Sequence, residues 1–294
     1  MQAGAPFVRV DALGKRYGDA WALRNVSFDV LHGEIFGVIG PNGAGKTTTL
    51  KVLAGLVAPT AGGASLDGTP VADTRLRKRI GYLPEESPLY DDMTARSYLR
   101  FFADLYQVPR RVADERIAQI LHGLDLDADS AKRIGDMSKG MRRKVAIARA
   151  LVHEPDLLLF DEPASGLDPV VSAYVIDLVQ ELRKRGKTVV FSAHNLFHVE
   201  RICDRVLILR EGAVVANGSM KEIRAANRGT QYVVRVSAPI PGSRPVPEGY
   251  ELTIDDFTEL RSVEAVVQAE GGRVVDVREK ELTLEEIFLR QAAR

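Results

Sequence analysis

Several things are scarce in this sequence. Cysteine occurs once, as Cys203. No internal disulfide can form, and such usage fits a reducing compartment. Neither sign of charge is in excess: 40 Lys and Arg balance 40 Asp and Glu. Bulk electrostatic binding of nucleic acid is therefore excluded, leaving room only for a local basic patch. No run of about 18 apolar residues occurs, so no segment reads as a bilayer span. The stretch Met1–Asp11 lacks the basic start and apolar block of a signal peptide. The five histidines (His32, His122, His153, His194, His198) show no paired metal spacing such as HExxH. Internal repeats and low-complexity tracts are missing as well.

What is present is a globular composition, 45% apolar and 27% charged over 294 residues. At roughly 100–200 residues per domain, this length suggests two domains. From Val8 to about Gly229, β-type runs alternate with helical patterns. Val8–Val10, Val26–Val30, Glu34–Ile39, Arg79–Leu83, Leu157–Phe160, Thr188–Ser192 and Arg205–Arg210 read as strands. Gly45–Leu56, Lys139–Leu151, Pro169–Arg185 and Leu196–Cys203 read as helices. This alternation predicts an α/β domain over residues 1–229 with a largely parallel sheet. Thr94–Tyr106 and Val112–Leu124 are two helices with no strand between them. They open a helical insertion over about 86–151. After a composition shift near Asn227, residues 230–294 read as a small α+β domain. Tyr232–Val236 and Arg273–Val277 are its strands, Pro239–Gly249 a loop with four prolines, and Val263–Glu270 a helix. Thr283 and Glu286 have capping-box spacing and open a last helix through Leu289.

The chemistry is concentrated in the first domain. Gly40, Pro41, Asn42, Gly43, Ala44, Gly45, Lys46 and Thr47 fit G-x4-G-K-[ST] between a strand and a helix, the context this motif requires. Phosphate oxygens need many N–H donors at short range. Glycines let the backbone curl around them, and the following helix points its positive end at the anion. Lys46 supplies a cation for the β- and γ-phosphates, Thr47 a hydroxyl for Mg2+, and Thr48 completes the nucleotide-contacting set. The apolar run Leu157–Phe160 ends in Asp161 and Glu162. Asp161 suits Mg2+, and Glu162 suits a general base that polarises an attacking water. A second anion-binding helix start follows Ser138, with Gly140 leaving its backbone accessible and Val145, Ile147, Ala148 and Leu151 as apolar positions. One γ-phosphate does not need two such sites in one molecule, whereas two molecules head to tail would use both.

On these residues the chain, from about Val8 to Gly218, resembles the nucleotide-binding subunits of ABC transporters. Both phosphate-site motifs, the signature Met137–Met141, the D-loop Ser165-Gly166-Leu167-Asp168 and His194 match in order. The resemblance implies a P-loop NTPase (RecA-like) core with a helical subdomain. It implies an ATP hydrolase using ATP and Mg2+, with Tyr17 stacking on adenine and His194 contacting the γ-phosphate. Ser138 and Gly140 would meet the γ-phosphate of a second subunit's ATP, and Asp168 would couple the two sites. Partners implied are a membrane permease and a second ATP-binding subunit, as homodimer or heterodimer, at the cytoplasmic face of the membrane. Tyr17 also reads as a plain surface or core tyrosine, His194 as a capping or core histidine, and Asp168 as a helix cap. A soluble ABC-type ATPase outside transport and a monomeric phosphate-loop kinase are the rival readings. The first would carry two ATPase domains or long heptad insertions, and neither occurs here.

Two motifs depart from the family pattern. The signature has Lys139 and Met141 where Leu-Ser-Gly-Gly-Gln has its first Gly and its Gln. Glu85 stands where the family supplies a glutamine after the Ile80–Pro84 strand end. Both departures, with the ending Leu282–Leu289, resemble exporter subunits that are separate chains with a small C-terminal domain. Leu89, Tyr90, Met93 and the Tyr98–Phe102 face are candidates for permease contact or for internal packing. A carboxylate at position 85 cannot donate as an amide does but holds Mg2+ more strongly. Glu85→Ala is therefore expected to raise the Mg2+ concentration needed for half-maximal ATPase. An unchanged metal dependence would remove Glu85 from the metal set.

Overall fold

The structure, a computed structural model, describes residues 5–193, 196–226, 231–280 and 283–287. It divides the chain into two compact units, 1–219 and 220–294. The sequence pattern had suggested a boundary at 229/230.

The first unit opens with a long antiparallel pair, β1 (Val8–Tyr17) and β2 (Ala20–Val30). Only the outer ends of this pair were legible as strands. Ala12 and Asn25 adopt φ of 46° and 52°, and the register shifts between Val10 and Arg16. Such bulges break the period-two alternation on which strand reading depends. The buried strand β3 (Ile35–Ile39) leads into helix α1 (Lys46–Leu53). Next come β4 (Ala61–Leu66) and β5 (Thr69–Pro70), which complete a sheet of order β2-β1-β4-β5. The β4 sequence, Ala-Gly-Gly-Ala-Ser-Leu, has too little apolar and β-branched content to announce a strand. Strand β6 (Ile80–Leu83) precedes three helices, α2 (Ala95–Leu105), α3 (Arg110–Gly123) and α4 (Lys139–Leu151). Thr94 caps α2 by accepting a hydrogen bond from Ser97 N. These helices share their own core, built on Tyr98, Leu99, Ile117, Leu121, Ile134 and Val145.

The remainder alternates: β7 (Leu157–Phe160), α5 (Pro169–Lys184), β8 (Thr188–Ala193), α6 (Leu196–Ile202), β9 (Arg205–Arg210) and β10 (Ala213–Ser219). They form a six-stranded sheet of order β10-β9-β3-β8-β7-β6. Strands β9, β3, β8, β7 and β6 are parallel, and the edge strand β10 is antiparallel to β9. The strand β10, bulged between Val214 and Ala216, was not expected from the pattern. Parallel pairing brings the carboxyl ends of β3, β8, β7 and β6 to one edge, where ligands of such sheets bind.

The second unit contains α7 (Met220–Ala226), β11 (Gln231–Val236), β12 (Arg244–Val246), β13 (Gly249–Ile254), α8 (Leu260–Ala269) and β14 (Val274–Lys280). Its antiparallel sheet, ordered β12-β13-β11-β14, buries Val234, Val236, Ile254, Val263 and Val267. The Pro239–Gly249 stretch expected as a loop thus holds β12. Pro245 sits there on an edge strand, where a missing N–H is tolerated. Glu251 is buried and meets Arg235, Arg244 and Arg278 at 3.3, 3.6 and 2.9 Å, one arginine from each of the other three strands. The Thr283–Glu286 capping box forms, with Glu286 N donating to Thr283 Oγ1 and Thr283 N donating to Glu286 Oε2. The continuation of that helix past Ile287, expected to Leu289, lies outside the described residues.

His153 joins the helices to the sheet. Its ring stacks on Tyr106 with centroids 3.8 Å apart, and its Nε2–H donates to the Ile80 carbonyl at 3.1 Å. Burial pushes its pKa down to about 4 from 6.5, so the folded protein holds it neutral. The unfolded chain binds the extra proton between these values. The stabilisation is therefore complete above about pH 6.5 and lost as pH falls towards 4. From pH 7 to pH 5 this group alone should remove about 2 kcal/mol of stability. His153→Phe keeps the stacked ring without the titration, and urea unfolding at the two pH values should show that share of the pH dependence gone.

Candidate functional site: a phosphate-binding cleft

The loop from Gly40 to Gly45 connects β3 to α1 with Gly40, Gly43 and Gly45 at φ of 153°, 80° and 106°. Backbone packing leaves no alternative at two of these. A Cβ on Gly40 would lie 2.3 Å from the Leu209 carbonyl oxygen, and one on Gly45 2.6 Å from that of Ala22. The loop curls around the Lys46 side chain, whose ammonium donates to the carbonyls of Gly40 at 2.9 Å and Pro41 at 3.4 Å. The same ammonium lies 3.4 Å from Glu162 Oε1, and both side chains are buried. The cleft therefore holds its cation against its own carboxylate.

The carboxylates come from the turn after β7. Asp161 is buried, and its Oδ1 accepts from Thr47 Oγ1 at 3.2 Å and from Ser192 Oγ at 2.6 Å. Ser192 Oγ also accepts from Glu162 N at 2.9 Å. Glu162 adopts φ of 46°, a left-handed conformation that costs a non-glycine residue about 1 kcal/mol or more. Tyr17, half exposed, joins the loop residues, Glu85, Glu162 and Ser165 in lining a cleft of about 630 Å³. Of the residues expected at the site, Tyr17, Pro41–Thr48, Glu85 and Glu162 border this cleft, and Asp161 lies directly beneath it. His194 falls outside the described residues.

Ser138, Gly140 and Asp168 are not among the residues lining the cleft. Ser138 caps α4, accepting from Met141 N at 3.3 Å, and Gly140 packs against Val171 at the start of α5. Asp168 caps α5, its Oδ1 accepting from Val170 N and Val171 N at 3.0 Å each.

Two residues that organise the site escaped sequence reading. Ser192 is one, a hydroxyl near the carboxyl end of an otherwise mostly apolar strand, and a polar residue on a central buried strand is itself a signal. Arg143 is the other. It is buried, and its guanidinium donates to five carbonyls: Pro163 by Nε at 2.8 Å, Pro84 and Glu85 by Nη1 at 2.8 Å each, and Asp161 and Glu162 by Nη2 at 3.2 and 3.0 Å. Burial pushes its pKa down to about 10, which leaves it charged at neutral pH. In sequence it hides in the basic run Arg142-Arg143-Lys144. Its only mark is a position four residues before Ile147, on the apolar face of α4.

The family model described as ABC transporter matches residues 23–165. YxlF of Bacillus subtilis, an uncharacterized ABC transporter ATP-binding protein, is 35% identical over 292 residues, spanning 96% of this chain and 98% of that one. This chain belongs to the ABC transporter ATP-binding proteins. Nod factor export ATP-binding protein I of Burkholderia orbicola is 38% identical over 78% of this chain and 76% of its own. Among solved structures, an ATP-binding subunit of an ABC transporter superposes with a TM-score of 0.69 at 34% identity, over 75% of this chain and 92% of that chain. An ATP-binding cassette solved as a dimer with ADP and Pi in a post-hydrolysis state gives 0.66 at 26% identity, over 72% and 98%. The cassette described here is an ATP-binding, ATP-hydrolysing α/β domain of that family.

Removing the Arg143 guanidinium would strand buried carbonyls on both sides of the cleft, each costing about 1–3 kcal/mol when left unpaired. Arg143→Met is expected to destabilise the first unit by about 3 kcal/mol and to lower ATPase activity. Arg143→Lys has three donors in place of five and should recover only part of both. Guanidinium chloride melts and steady-state ATPase assays check this, and a Lys variant equal to the parent would contradict the role given to the fork.

Proposed function

We propose that two copies of this chain, or this chain and a related subunit, close head to tail around two Mg-ATP and drive a separate membrane permease. The observation carrying this reading is that one chain holds a phosphate loop with both carboxylates, while its second helix-start motif at Ser138 does not border that cleft. The two halves are complementary, and a second chain supplies what each cleft lacks. The dimeric post-hydrolysis cassette is a precedent for such assembly.

In this reading the loop amides and Lys46 hold the β- and γ-phosphates, Tyr17 stacks on adenine, and Thr48 adds a contact to the phosphates. Thr47 and Asp161 fit Mg2+. Their oxygens lie 3.2 Å apart and are the hard donors this ion takes. Among the described residues no cluster of three or more His, Cys, Asp or Glu forms a closed metal cage. Mg2+ usually keeps waters and uses one or two carboxylates with substrate phosphates, so this donor set suits it. When bound, the ion neutralises charge developing on the phosphates. Phosphate entry draws Lys46 off Glu162 and leaves that carboxylate free to act as base. Glu162 takes the proton of a water whose oxygen bonds to the γ-phosphorus as the bond to the β,γ-bridging oxygen breaks, giving ADP and phosphate. Ser138 and Gly140 of the second chain meet the γ-phosphate, Asp168 couples the two sites, and His194 contacts the γ-phosphate. ATP bridges both chains and favours closure, and loss of the γ-phosphate reopens them.

Export is the direction favoured by the relative named for Nod factor export. Permease contact is assigned to the outer face of α2. Tyr98 is buried in the helical core, but Tyr90 and Phe101 are exposed and their rings meet edge on at 6.0 Å. Among the described residues no helix is long and apolar enough to cross a membrane. In this reading, association with the cytoplasmic face of the membrane runs through the permease.

The test is the mass of Glu162→Gln by light scattering. It should shift from monomer to dimer on adding Mg-ATP while turnover falls about 10²–10⁴-fold, the usual worth of a general base. A variant that binds Mg-ATP with unchanged mass would contradict the two-chain site.

A further inference from the structure

Two of the residues that depart from the family pattern, Glu85 and Lys139, approach one turn from different elements. Ser165 Oγ donates to Glu85 Oε1 at 3.5 Å. On the next residue, Gly166, a Cβ would lie 2.6 Å from Lys139 Nζ, so the ammonium rests against the bare glycine backbone. Gly166 adopts φ of 65°, the left-handed region, which further restricts the position to glycine. Glu85, Lys139, Ser165 and Gly166 line one groove of about 740 Å³. The other two cations of that groove are engaged. Arg142 binds Asp91 and the Ile134 carbonyl, and Arg143 binds its five carbonyls. Among the described residues no hydrogen-bond acceptor is paired with Lys139.

The turn needs such support because its own bonds are few. Its entry is fixed where Arg143 holds the Pro163 carbonyl, and its exit where Asp168 caps α5. Between these points stand Ser165 N to the Glu162 carbonyl at 3.1 Å, a long bond from Leu167 N to the Ala164 carbonyl at 3.5 Å, and Ser172 Oγ donating to that same Ala164 carbonyl at 3.4 Å, while the carbonyls of Ser165 and Gly166 take part in none of these. Ser165 also borders the phosphate cleft, whereas Gly166 borders the groove beside the signature and not that cleft.

We propose that Glu85 and Lys139 are positioning residues that hold the Ser165–Gly166 turn between a carboxylate on the β6 side and an ammonium on the α4 side. The substitution of glutamine by glutamate and of glycine by lysine adds one charge of each sign about the same two residues. The pair sets where the turn lies, and through it the orientation of Asp168 towards the second chain. The catalytic consequence rests on the two-chain reading above, whereas the grip itself is a property of the single chain.

The experiment compares Lys139→Gly, Glu85→Gln and the double variant, which place the family residues at these two positions. In the nucleotide-free protein, amide hydrogen exchange across 164–167 should quicken about tenfold in Lys139→Gly and be returned to the parent rate by Lys139→Arg. In ATPase assays at saturating Mg2+, each single change should lower kcat about tenfold with KM for ATP within twofold. The double variant should also lose about tenfold, because both groups act on one turn. Parent-like exchange in Lys139→Gly would overturn the proposal, as would single losses that multiply to about a hundredfold. Quickened exchange, with Glu162→Gln staying monomeric in Mg-ATP, would instead keep the grip and sink the two-chain reading.

Discussion

The site depends on a buried guanidinium. Arg143 carries a full charge into the protein and offsets its desolvation by engaging five carbonyl oxygens. Those oxygens belong to two separate segments, 84–85 after β6 and 161–163 after β7. The arginine itself belongs to α4. A rigid planar fork thus fixes three elements at one point, and the left-handed Glu162 is held from below by it and from beside by Ser192. Strain at a residue of this kind persists only when its surroundings over-determine it, and here they do.

This arrangement makes α4 and the carboxylate turn one mechanical piece. The start of α4 carries Ser138 and Lys139, and the turn carries Asp161, Glu162 and the loop to Asp168. Motion of the helix therefore moves the carboxylates. On the proposed two-chain reading the two motifs answer to different nucleotides, and this linkage would connect them; buried hydrogen bonds suit it better than exposed ion pairs.

The phosphate loop, the carboxylate pair, the helical insertion and the parallel core were all legible, because each rests on local pattern: glycine spacing, an unbroken apolar run, or helical periodicity. The long β1–β2 pair was read only at its ends because positive-φ residues interrupt its alternation. Strands β4 and β10 and the proline-bearing β12 lie at or near sheet edges, where partners rather than composition decide the conformation. Arg143 and Ser192 were missed for a related reason. Their importance lies in contacts 18 to 59 residues away in sequence, which no window of neighbouring residues contains. Lys139 and Glu85 were each noticed as departures, but only the fold shows them at one turn.

The pairing of Lys46 with Glu162 has a consequence for what the cleft accepts. An empty phosphate loop facing a bare lysine would be open to any small anion in the cell, and inorganic phosphate and sulfate would be standing inhibitors. Here the lysine is already satisfied by a buried carboxylate and two carbonyls. A newcomer must compete with that internal counter-ion before it gains anything. A single tetrahedral anion has little to offer in exchange, whereas a polyphosphate spreads its charge along the whole loop. On the proposed mechanism, the carboxylate that would serve as base thus first serves as a gatekeeper, and the cleft discriminates within a single chain.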